Sequence, residues 1–221
     1  MARTAFERHL RELQDHVLEM GSMVETALYR SMDALKSRNI ELAKQVICDD
    51  EKIDHKRYEI EEECIELIIT QQPMASDLRI IIAVLNIIVD LERIGDHAEG
   101  IGKIAVTIGS EAPLKPLIDL PRMAEKAGAM LRKSLEAFIN RDADTARSII
   151  KSDDEIDQLY DQVFRELLFF MAEDPKTITR ATRLIWVGHN LERSADRVTN
   201  IAERVVYIVT GKLEVEEASK Y

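Results

Sequence analysis

Leu91-Glu92-Arg93-Ile94-Gly95-Asp96 returns one hundred residues later as Leu191-Glu192-Arg193-Ser194-Ala195-Asp196, and each copy follows an Asp-x-x-x-Asp, Asp50/Asp54 and Asp153/Asp157. The repetition spreads outward from these acids. Residues 31–54 align without a gap against residues 134–157, an offset of 103, with Ala34/Ala137, Arg38/Arg141, Ala43/Ala146, Ile47/Ile150 and Ile53/Ile156 identical. The offset drops to 100 at the Leu-Glu-Arg motif. That places the length difference in Gln71-Gln72-Pro73 and Glu173-Asp174-Pro175, polar stretches that read as turns. A repeat of about a hundred residues is one supersecondary unit used twice.

Hydrophobic spacing predicts three helices in each unit. In the first, helices are expected over about 4–36, opened by a Thr4/Glu7 capping box, over 39–70 with Asn39 as cap, and over 74–108 beyond the Pro73 turn. In the second they are expected over 121–140, 142–172 and 175–210, with Asp174 as N-cap, Pro175 at the first helical position and Gly211 as C-cap. Short connections make successive helices antiparallel neighbours, so the expected fold is all-α: two tandem, sequence-related three-helix bundles side by side. The domains are 1–110 and 111–221, joined by the Pro-rich segment 109–121 and ending in an acidic tail, 214–221.

The chain has 221 residues, 46% hydrophobic but only 5% aromatic, enough for a sizeable helical core. Its longest apolar run, 80–89, is interrupted by Asn86 and is too short to span a bilayer. The N-terminus lacks the apolar core of a secretory signal, which predicts a cytoplasmic protein. A net charge of −11 argues against nucleic acid, whose phosphates demand a clustered excess of Lys and Arg. Cys48 and Cys64 lie roughly 24 Å apart along one predicted helix and are expected to be free, buried thiols.

The acids fall into register when the hairpins are folded. Asp54 and Glu92 are equidistant from the Pro73 turn, as are Asp50 and Asp96, roughly 28 and 34 Å from it by helical rise. The second hairpin matches Asp157 with Glu192 and Asp153 with Asp196. A spacing of four puts both acids of a helix on one face. Four carboxylates gathered between two helices repel and lose hydration, at several kcal/mol each unless a cation compensates. Arg93 and Arg193 each follow a glutamate by one residue and are expected to point about 100° away. A bound metal ion is the better compensation, and an all-oxygen donor set suits hard ions such as Mg, Mn, Ca or ferric iron.

Other motifs carry less. Gly100-Ile101-Gly102-Lys103-Ile104-Ala105 matches a dinucleotide fingerprint but lies inside a predicted helix with no strand before it. His97 adjoins Asp96, yet its counterpart is Arg197, so it reads as a surface histidine; His189 reads as a helix-packing residue, and Trp186 as core or interface. None of the five histidines has a glutamate three residues earlier, which disfavours a di-iron oxidase.

The Leu-Glu-Arg-Ile-Gly-Asp-His-Ala at 91–98, the Leu-Glu-Arg-Ser-Ala-Asp-Arg-Val-Thr-Asn-Ile-Ala-Glu at 191–203 and the two Asp-x-x-x-Asp elements resemble the PhoU family. The resemblance covers the whole chain. It implies a non-enzymatic, cytoplasmic negative regulator of phosphate uptake that links the ATPase subunit of an ABC phosphate transporter to a phosphate-sensing histidine kinase, and a homodimer. It also implies multinuclear metal clusters of iron, manganese or magnesium held by Asp50, Asp54, Glu92 and Asp96 and by Asp153, Asp157, Glu192 and Asp196. Two departures stand out: Gly100 replaces the family's usual Asn, and Ser194-Ala195 replace Ile-Gly. The competing expectation is a carboxylate-bridged, metal-dependent hydrolase or oxidase.

Overall fold

The computed structural model describes residues 2–212, with side chains from residue 6 onward. Thr4 falls within the first helix rather than before it, its side chain outside the described ones, and the tail 214–221 lies outside the described residues. The helices are α1 (Ala2–Ser37), α2 (Ile40–Gln71), α3 (Ser76–Ile108), α4 (Asp119–Asn140), α5 (Ala143–Ser152), α6 (Asp154–Glu173) and α7 (Ile178–Thr210), with a 3-10 turn at Pro175–Thr177. No strand occurs among the described residues.

Local chemistry explains most boundaries. The Asn39 side chain accepts from the Leu42 N–H at 3.0 Å, and Asp142 accepts from Asp144 and Thr145, so each unit's second rod starts on a side-chain cap. Asp174 caps the 3-10 turn by accepting from the Lys176 N–H at 3.0 Å, and Gly211, at φ +76°, closes α7. Four expected starts move: α1 begins at Ala2, α3 at Ser76 after Ala75 turns through φ +48°, α4 two residues before Pro121, and α7 at Ile178, the 3-10 turn taking Pro175.

The single helix expected over 142–172 is instead two, α5 and α6, meeting at Asp153. There the ladder tightens: the Asp153 N–H reaches Ile150 O at 3.4 Å and the Ile156 N–H reaches Asp153 O at 2.8 Å.

In the first unit α1, α2 and α3 all pack on one another; in the second α4, α5 and α6 surround α7. The units join along two seams, α1 against α4 and, more extensively, α3 against α7, so one continuous core runs through both. The α1–α4 seam is close because glycines receive side chains: a methyl on Gly21 would collide with Leu135, and one on Gly128 with Tyr29. The α3–α7 seam is antiparallel. Arg79 lies over the Tyr207 ring at 5.6 Å, and Asp90 accepts from Asn200 Nδ2 at 3.1 Å with Arg197 Nη1 at 3.5 Å.

That seam also holds the equivalent residues in mirrored positions. Asn190, the counterpart of Asp90, faces His97 and lies against Gly100, the counterparts of Arg197 and Asn200. Burial, with Arg197 and Arg193 nearby, pushes the His97 imidazole down to about 4. His97 is thus a half-buried seam residue rather than a surface one.

Two other expectations are corrected. Cys48 is exposed while Cys64 is buried, its thiol pushed up to about 12 by burial. Trp186 is 56% exposed, edge-on to His189 at 5.5 Å, because it sits on the outer face of α7. No helix among the described residues is long and apolar enough to cross a membrane.

Candidate metal centres

In the first unit the acids lie between α2 and α3. Asp50 is placed by a close approach: a methyl on Gly95 would meet Asp50 Oδ1 at 3.1 Å and Ile53 at 3.2 Å. Ile53 and Ile60 are buried on the same side of α2, and Leu91 and Ile94 on α3, so an apolar stripe carries each acid to the edge of the core. Asp50, Asp54, Glu92 and Asp96 are all half-buried, unlike acids on a solvated face. Burial, followed by the charges of Glu99, Asp54 and Asp96, raises the Asp50 carboxyl to about 7. Glu92 is raised chiefly by burial, opposed by Arg93 and Arg57.

In the second unit Asp153, Asp157, Glu192 and Asp196 occupy the matching places and are again half-buried. Asp153 is raised to about 7 by burial and then by Asp157, Asp196 and Glu192. Glu192 reaches about 7 by burial and the charges of Asp196 and Asp157, and burial also raises Asp157 and Asp196. Asp153 Oδ1 and Glu192 Oε2 are fully buried and hydrogen-bond to nothing. Buried acceptors without donors are costly unless a cation meets them.

Local cations meet the clusters partway. Arg93 Nη1 donates to Asp96 Oδ2 at 2.9 Å, and Arg193 Nη1 to Asp196 Oδ2 at 3.1 Å. The two arginines therefore reach the clusters after all, because residues three apart on a helix are neighbours and the guanidinium is long. Arg57 stands 3.9 Å from Glu92. Among the described residues no three Asp, Glu, His or Cys side chains are already drawn to ligand spacing around one point. The donor set nonetheless fits a hard cation: all the acids carry oxygen, two buried oxygens accept no hydrogen bond, His189 Nδ1 standing 3.5 Å from one of them, and added positive charge would favour the ionised forms of Asp50, Asp153 and Glu192, which stand near 7 without it.

Sequence reasoning missed Glu99 and Arg57. Glu99 bears on Asp50 and is bonded by Lys103 at 2.5 Å, yet its counterpart is Thr199, so repetition gives no sign of it. Arg57 lies one helical turn from Asp54 and was detectable only from that spacing.

A family model, the PhoU domain, matches residues 17–105 and 120–205, once over each of these clusters. The chain belongs to the PhoU family. It is 39% identical over 213 residues to a relative from Clostridium acetobutylicum named phosphate-specific transport system accessory protein PhoU homolog, covering 96% of this chain and 97% of the relative. A homolog of the same name from Aquifex aeolicus is 39% identical over 206 residues, 93% of either chain. The crystal structure of PhoU from Pseudomonas aeruginosa superposes with a TM-score of 0.89 at 36% identity, covering 94% of this chain and 100% of that one. The PhoU structure from Streptococcus pneumoniae, a phosphate transport system regulatory protein, gives 0.89 at 33% identity over 96% and 100% of the two chains.

Proposed function

We propose that this PhoU-family protein is an accessory regulator of phosphate uptake, acting by binding rather than turnover, with one cation site in each of the units 1–110 and 111–221. Full-length similarity to proteins named as accessory components of the phosphate-specific transport system supports the first part. For the sites, the buried Asp153 Oδ1 and Glu192 Oε2, which accept no hydrogen bond, support the one in the second unit, and the half-buried Asp50 crowded by Asp54, Asp96 and Glu99 supports the one in the first.

Asp50, Asp54, Glu92 and Asp96 would hold metal in one unit, and Asp153, Asp157, Glu192 and Asp196 in the other; iron, manganese and magnesium are the candidate ions. Bound cations supply positive charge that lets these acids ionise side by side. The acids of α2 then stay fixed to those of α3, and the acids at the α5–α6 junction to those of α7. This leaves the outer faces of the hairpins to engage the ATPase subunit of the phosphate transporter and a phosphate-sensing histidine kinase, restraining the response when phosphate is plentiful. A homodimer is part of this reading.

Elemental analysis tests the sites: replacing Glu92 and Asp96 together by Ala should remove about half the bound metal, and unchanged content refutes the assignment. A pull-down with the transporter ATPase subunit, with and without phosphate, tests the role. A metal-dependent phosphatase or oxidase activity lost in Asp96→Ala would refute the non-enzymatic reading.

A further inference from the structure

A second site is formed apart from the carboxylates, where the segment joining the two units crosses the ends of α1, α3 and α7. A cavity of about 310 Å³ opens there, at the small end of the range for small-molecule sites. Its apolar lining is Leu35, Ile108, Leu114 and Leu184, and cationic side chains ring it: Lys36, Arg38, Lys115 and Arg180.

Their partners separate them into two groups. Lys115 is buried and bonded to Glu166, and the one acid lining the cavity, Glu111, lies 3.8 Å from Arg183. Lys36, Arg38 and Arg180 have no carboxylate partner among the described residues, Arg180 donating only to the Ala112 carbonyl at 3.3 Å. Three cations without counter-charge around an apolar pocket are unexpected in a chain of net charge −11, where acids are abundant. The site lies about 18 Å along α3 from Asp96, by the twelve-residue rise to Ile108, and about 12 Å along α7 from Glu192, by the eight-residue rise from Leu184, and none of the eight acids lines it.

We propose that this cavity binds a small amphipathic organic anion, its apolar chain seated on Leu35, Ile108, Leu114 and Leu184 and its anionic head held by Lys36, Arg38 and Arg180. Both unit ends and the connector line the pocket, so an occupant bridges the two units. Neither the sequence motifs nor the carboxylate chemistry requires such a ligand.

Calorimetric titration of the whole protein with octanoate, octyl phosphate, octanol and inorganic phosphate tests it. Octanoate and octyl phosphate are expected to bind at least tenfold more tightly than octanol, which lacks the charge, and than inorganic phosphate, which lacks the chain. Lys36→Gln with Arg38→Gly changes two exposed positions, glycine suiting the φ of +56° at residue 38. It should weaken octanoate about tenfold and leave octanol unchanged. Leu114→Trp, filling the pocket, should abolish binding of both while the circular dichroism spectrum is kept. Equal affinity for octanol and octanoate, or binding indifferent to both variants, overturns the proposal. Co-sedimentation with phosphatidylglycerol vesicles separates a free ligand from a lipid surface: the protein should stay in the supernatant, and retention lost in the Lys36/Arg38 variant overturns the free-ligand assignment.

Discussion

The two carboxylate clusters have the same acids at the same places but different company. Beside Glu92 stands Arg57, at 3.9 Å; its counterpart by the repeat is Tyr160, whose hydroxyl is pushed up by burial and then by Glu192. A cation in one unit is a neutral ring in the other. Glu192, opposed by Arg193 alone, rises to about 7 and keeps a buried oxygen that accepts no hydrogen bond, whereas the burial of Glu92 is opposed by both Arg57 and Arg93. Lys103, which opposes the rise of Asp50, is replaced by Glu203. The first cluster carries part of its own neutralisation at Glu92 and Asp50; in the second, Arg197 stands where the first has His97 and eases Asp196, but no cation eases Asp153, and more is left there to be supplied from outside.

The largest expected effect breaks the equivalence directly. At limiting metal, Asp153→Asn with Glu192→Gln should remove most of the bound ion, and Asp50→Asn with Glu92→Gln much less; equal losses by elemental analysis would erase the distinction. The next exchanges the neighbours. Tyr160→Arg should weaken the second site about tenfold by placing a competing charge beside Glu192, and Arg57→Tyr should tighten the first by a similar factor, both read by competition with a chromogenic chelator.

A smaller effect is the pH dependence of the metal-free protein. Asp50, Asp153 and Glu192 stand near 7 in the folded chain, against about 4 when unfolded. Folding therefore retains protons that the unfolded chain releases. The stability so contributed is complete below about pH 4 and is lost as pH rises through about 7. Thermal midpoints should show this fall flattened more by Asp153→Asn with Glu192→Gln, which removes two such groups, than by Asp50→Asn, which removes one. The smallest effect comes from Gly95→Ala, which gives the first unit the residue that the second has at Ala195. Asp50 and Ile53 must shift by a few tenths of an ångström, a cost of about 1–3 kcal/mol that the helix propensity of alanine offsets by about 1 kcal/mol, and chemical denaturation should report a net change of no more than about 2 kcal/mol.

The sequence carries the helices, the repeat and the eight acids because each depends on short-range periodicity: caps at Asn39, Asp142 and Asp174 stand directly before the rods they start. The break at Asp153 was invisible because no Gly or Pro marks it. Of the two places expected for Trp186, core or interface, burial excludes the first: a large aromatic on an amphipathic helix reads as core, and its position on the outer face of α7 leaves it exposed. Arg57 and Glu99 escaped because the repeat highlights what the units share, and these residues are where they differ.

The α3–α7 seam has one further consequence. Asp90 needs Arg197 and Asn200, whereas Asn190 occupies the space left by Gly100 and faces His97. Were two first units to meet through α3, Asp90 would face His97 and a bare glycine, and its charge would go unmatched; two second units meeting through α7 would press Arg197 against an uncharged amide. The seam is a heterotypic lock between duplicated parts, selecting the sibling unit in the same polypeptide over an identical one from another molecule.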